Sequence, residues 1–132
     1  MNFREDAEIV GNALATIAPV FYGTFEEVKN EGVTEAEAFY IAISNVDLAY
    51  DNDGVQDADA KCTYSISAFV RSVQVDSEIR CLGLVSLAVS TLAATRIRSC
   101  PVLVESVART EMETQSSCLY TMTAVTETTE VL

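Results

Sequence analysis

The residues whose types and spacing could do chemistry are first of all carboxylates. Asp51, Asp53, Asp57 and Asp59 alternate around Gly54 in the stretch DNDGVQDAD. Oxygens gathered on one side of a tight turn are what a hard cation such as calcium takes. The spacing departs from an EF-hand loop, because Gly54 comes too early and Cys62 stands where the closing Glu belongs. An Asp-Gly hairpin turn between Tyr50 and Lys61 accounts for the same residues and is the favoured reading. No metal site is favoured, and calcium stays the weak alternative.

The second set is four cysteines, Cys62, Cys81, Cys100 and Cys118, spaced almost evenly. The spacing follows from one cysteine per element: strand, helix start, helix end, strand. With no CxxC and no His, zinc is disfavoured. Two disulfides suit an oxidising medium, but no export signal follows Met1-Asn2-Phe3-Arg4, so reduced, buried thiols are expected. Cys81, near a helix start, is the one thiol whose pKa a helix dipole could lower. Without His there is no Ser-His-Asp triad or Cys-His dyad. Glu26-Glu27 and Glu35-x-Glu37 read as solvated charge rather than a glycosidase pair. No catalytic residue and no cofactor-binding residue is assigned.

These residues sit in a 132-residue chain, long enough for one domain with its own core. Eight basic residues against 20 acidic ones give a net charge of −12 and a pI near 4.1. Such a chain repels a nucleic-acid backbone rather than gripping it. The excess is lopsided: residues 1–60 hold 13 acids against Arg4 and Lys29, while 61–132 are nearly balanced. Yet 49% of the residues are apolar, mean hydropathy is +0.22, and Lys29 and Lys61 are the only lysines. Interfaces deplete Lys, so part of the exterior is expected to be covered by a partner, and an oligomer is favoured over a monomer. The longest uncharged run, Cys81 to Thr95, is 15 residues, short of the ~20 a membrane span needs.

Ile9, Val10, Ala13, Leu14, Ile17 and Phe21 predict an N-terminal amphipathic helix ended or kinked by Pro19. Residues 25–28 suggest a further helical turn. Thr34 with Glu37 matches a capping box, so residues 34–50 are expected to start helical or irregular and continue as a strand. Cys62 to Arg71 alternates as a half-buried strand. Asp76 or Ser77 then caps a long apolar helix to about Arg98, with Leu82, Val85, Val89 and Leu92 as its stripe and Arg96 and Arg98 at its end. A strand from Pro101, a turn at 115–117, and a strand from Cys118 to Thr126 follow, then a loose tail, 127–132. The expected fold is α+β: a single domain, 1–132, with an acidic half at 1–60 and a β-α-β-β half at 61–126. Its N-terminal amphipathic helix and long apolar helix pack on a mainly antiparallel sheet. Leu82, Val85, Val89, Leu92, Arg96 and Arg98 are the interface candidates.

Through FREDAEIVGNALATI, KCTYSISAFVRS, SEIRCLGLVSLAVSTLAATRI, VLVESVARTEM and CLYTMTAVTETT, the chain resembles the tail terminator and head-to-tail completion proteins of long-tailed bacteriophages in size and element order. The resemblance carries no functional residue with it. It implies a non-enzymatic virion protein, assembled in the host cytoplasm, that forms a ring, commonly hexameric. Such a ring caps the tail tube, meets connector proteins, and lets DNA pass without binding it or a membrane. Two other readings are a calcium-responsive binding module, whose nine acidic-loop residues resemble one unit of thrombospondin type 3 repeats, and a small dimer holding an apolar ligand near Tyr64, Phe69 and Leu82.

Overall fold

The computed structural model describes residues 2–29, 35–50, 57–71, 76–110 and 117–131. Helix α1 (Phe3–Leu14) is capped by Asn2, whose side chain accepts from the Glu5 amide at 3.1 Å. Strand β1 (Val20–Tyr22) leads through Gly23, held at φ +126°, into the short helix α2 (Phe25–Lys29). Here Thr24 and Glu27 exchange hydrogen bonds, Glu27 N to Thr24 Oγ1 at 3.3 Å and Thr24 N to Glu27 Oε2 at 3.1 Å. The capping-box pattern is therefore genuine at Thr24. Thr34, where the sequence shows the same pattern, lies outside the described residues, and Glu37 already opens a strand.

That strand, β2 (Glu37–Tyr50), and β3 (Asp57–Arg71) pair antiparallel along almost their whole length. Helix α3 (Ser77–Ala93) follows, with Asp76 Oδ1 accepting from the Glu78 amide at 3.0 Å. The helix stops at Ala93 rather than near Arg98. Beyond it, β4 (Arg96–Ile97) and β5 (Cys100–Pro101) form a tight hairpin whose central residues, Arg98 and Ser99, stand at φ 48° and 67°. That is a turn ordinarily signalled by Asn-Gly. Cys100 is thus on a strand, not at a helix end. Strands β6 (Leu103–Thr110) and β7 (Ser117–Val131) complete the fold. β7 runs to Val131, so no loose tail begins at 127.

The result is a mixed α/β domain around a five-stranded sheet of order β1-β2-β3-β7-β6. Among the described residues, only β1 and β2 pair in parallel. The crossover through α3 covers one face, with α1 beside it. Val10 and Leu14 of α1 and Cys81, Leu84, Val85, Ala88 and Leu92 of α3 pack on Phe39, Ile41, Tyr64, Ile66, Ala68 and Met122 of the sheet. The other face has a smaller cluster under α2, where Phe25, Tyr40 and Phe69 bring ring centroids to 4.9–6.4 Å. Farther along, that second face carries Ala42, Ser65, Thr123 and Ser106, and beyond them the charged row Asp47, Lys61 and Glu127.

The hairpin end of α3 is tied to α1 by one ion pair. Asp6 is 1% exposed, and Arg98 grips it with two bonds, Nη1–Oδ1 at 2.6 Å and Nη2–Oδ2 at 2.9 Å. A fork-to-fork pair of this kind fixes orientation as well as charge. The unfavourable backbone of Arg98 persists because its side chain is held at the far end.

Candidate functional site

Of the four candidate carboxylates in the acidic stretch, the structure describes Asp57 and Asp59. Asp51 and Asp53 lie outside the described residues. Asp57 and Asp59 are on β3, where Asp59 Oδ1 accepts from Thr129 Oγ1 at 2.8 Å. No group of three or more His, Cys, Asp or Glu side chains that could hold a metal occurs among the described residues.

Three of the four thiols are too deeply placed for nucleophilic chemistry. All four are free, and Cys62, Cys81 and Cys118 are buried. Burial pushes Cys81 up to about 12, with the neighbouring Cys118 adding to the shift, so the lowering expected from the helix start does not occur. The Cys81 thiol instead donates to the Ala68 carbonyl at 3.2 Å. Burial likewise raises Cys62 and Cys118. Tyr64 is raised by burial first and by Cys62 beside it second. A buried thiol kept neutral is not a nucleophile, because the thiolate is the attacking form. Tyr64 and Phe69 belong to different clusters on opposite faces of the sheet, and Leu82 is 42% exposed, so these three line no common pocket.

The interface candidates separate into two groups. Val85 and Leu92 are buried in the chain's own core, as is the base of Cys81, Leu84 and Ala88. The buried stripe is therefore rotated from the expected one, leaving Leu82 and Val89 on an open flank of α3, with Ile79 and Leu87 also exposed. Arg96 caps α3 from beyond its end, donating to the Ala93 and Thr95 carbonyls at 2.8 and 3.1 Å. Arg98 leaves the helix end altogether for Asp6.

What the fold brings together is a pair of open sheet edges. β6 is the last strand on one side, and β2 has no neighbour beyond Ile41 on the other among the described residues. Each edge carries exposed apolar side chains. On β2, Ile43, Val46, Leu48 and Tyr50 share the face that α1 and α3 cover lower down, and Leu48 and Tyr50 are 42% and 54% exposed. On β6, Val107 lies on that same face at 41% exposed, and Leu103 on the other at 56%. Beside β6 runs the open flank of α3: Glu78 accepts from Tyr120 Oη at 2.9 Å and from Arg109 Nη1 at 3.3 Å, and Leu82 and Val89 continue the same side of the helix. Both edge strands also bulge in one cross-strand row, between Ile43 and Asn45 on β2 and between Val104 and Ser106 on β6, joined through Tyr64 and Ala124. A period-two apolar pattern was visible in residues 41–50; that it runs past its cover was not. No helix among the described residues is long and apolar enough to cross a membrane.

The chain matches no protein-family model and no curated protein.

Proposed function

We propose that this chain is a structural virion protein, the subunit of a ring that terminates the tail tube of a long-tailed bacteriophage or joins that tube to the head. One observation carries the reading: the subunit exposes two unlike apolar surfaces at opposite edges of a single sheet, the β2 arm and the flank formed by β6 and α3. Two different surfaces that satisfy each other generate a head-to-tail assembly, which closes as a ring when the rotation between neighbours allows it. The charge supports the same reading, since an acidic lumen lets DNA slide where a basic one would hold it. In the ring, commonly hexameric in the proteins it resembles, contact with tube and connector proteins replaces an active site, and neither a cofactor nor DNA binding is required.

Native mass spectrometry of the purified protein, with and without tail tubes from the same source, tests this. A closed ring, or a monomer that becomes a ring on the tubes, is expected. A monomer or isolated dimer that ignores the tubes removes the reading. A mass that follows calcium against chelator moves the acidic stretch to first place.

A further inference from the structure

The contact between neighbours can be drawn from the sheet itself. β2 is antiparallel to β3, β3 to β7 and β7 to β6, so the two open edges run in opposite directions. Set the β6 edge of one copy beside the β2 edge of the next, both sheets facing the same way, and the new pair is antiparallel. Backbone polarity therefore needs no rearrangement to extend the sheet from copy to copy.

The side chains agree with the backbone. In that arrangement Ile43, Val46, Leu48 and Tyr50 of the incoming strand fall on the helix-bearing face. That is the face where the receiving copy leaves Val107, Leu82 and Val89 open. An edge strand that must stay unpaired is usually guarded by Lys, Pro or a β-bulge; each edge here has one bulge, which leaves 45–50 on β2 and 106–110 on β6 in regular register. Here Lys29 and Lys61 are the only lysines and Pro19 and Pro101 the only prolines, and none of them lies on β2 or β6. Charge does not select the join: Asp47 on the arm stands opposite Lys61 of β3, and β6 carries Glu105 beside Arg109, which pairs with Glu78 of its own chain, so the apolar faces and the strand polarity carry the contact.

We infer that this chain self-associates by strand addition: the β2 arm, residues 43–50, pairs antiparallel with β6 of a second copy and lays its apolar face against that copy's Val107 and α3 flank. The inference deepens the ring proposed above in taking the partner to be another copy of this chain, and it stands whether or not the ring caps a tail tube. Each copy donates one edge and receives one. Closure of the ring through a continuous sheet then requires the strands to tilt against the ring axis, as they do in barrels.

Two single variants test it. Leu48→Lys disables the donating edge and leaves the receiving one; Val107→Lys does the reverse. Both positions are exposed, so far-UV circular dichroism should match the parent. Each variant alone should self-associate about 30-fold more weakly, the loss of a central apolar contact. Mixed in equal amounts, they should form a one-to-one dimer by native mass spectrometry and nothing larger, because the pair retains a single intact join. Leu82→Lys replaces Val107→Lys should the latter unfold. If the parent forms a ring while the variants also form it, or while their mixture stays monomeric, the strand join is overturned and the ring uses another surface. If the parent remains monomeric at every concentration and on tail tubes, this inference and the proposed ring fall together.

Discussion

The two halves of β2 are one strand with one pattern and two fates. From Glu37 to Ile43 the apolar residues Phe39 and Ile41 are sealed beneath α1, with β1 on one side and β3 on the other. From Ser44 to Tyr50, past the bulge between Ile43 and Asn45, the alternation resumes on the same face through Val46, Leu48 and Tyr50, still paired with β3, but α1 and β1 have ended. Periodicity reports which side chains share a face. Whether that face is dry depends on how far the covering elements reach, and here they stop short.

The largest difference between the halves should appear on truncation. Phe39→Ala removes a fully buried ring and should cost about 3–5 kcal/mol of unfolding free energy in urea titrations. Leu48→Ala, on the open half, should change the stability of the monomer by no more than about 0.5 kcal/mol. Equal costs would mean that the arm is already covered within one chain.

The cover itself can be loosened. Arg98→Ala leaves the Asp6 carboxylate buried without its fork of donors and should cost about 3 kcal/mol. The loss should be accompanied by faster amide exchange in α1, the helix that seals the first half of β2. Unchanged exchange there would show that α1 is held by packing alone.

A pH titration probes the sealed side next. Cys81, held neutral, has a folded pKa raised from 9.0 to about 12. Its contribution is therefore complete below pH 9 and lost as pH rises toward 12. While the thiol ionises in the unfolded chain only, the slope is at most about 1.4 kcal/mol per pH unit. Cys62, Cys118, Tyr40 and Tyr64 shift in the same direction and steepen the fall. Stability measured across that window should decline less steeply in Cys81→Ala.

The smallest expected signal is kinetic. Cys100 is partly exposed while the other three cysteines are buried, so a thiol reagent should label it at least about 100-fold faster in the native protein. Four equal rates would contradict the sealed face.

Much of the local structure was legible. The amphipathic residues of α1, the alternation of β3 and the Asp76 cap of α3 each rest on a period or a cap that is a property of neighbouring residues alone. The failures have equally definite causes. The pattern runs the helix on to Arg98 because a turn built on Arg98-Ser99 lacks the glycine that marks such hairpins; a long-range partner, Asp6, holds the backbone there. Residues 34–50 read as two pieces because Thr34 and Glu37 match a capping box, whereas Glu37 in the fold pairs with Arg80 of α3. The tail after Thr126 gave no sign of order because Thr128 and Thr129 acquire it only from β3 alongside.

The sequence by itself determined the element types over most of the chain, the acidic first half, the absence of histidine chemistry and a surplus of apolar residues over what a lysine-poor surface can solvate. Those properties follow from composition and from dihedral and capping preferences that act within a few residues. The tertiary structure decided where the surplus lies. Burial is a relation between elements distant in sequence: α3 turns Val85 and Leu92 inward and Leu82 and Val89 outward, and β1 ends before β2 does. The apolar edges that result, antiparallel to each other and on opposite sides of one sheet, exist only once the strands have been ordered in space.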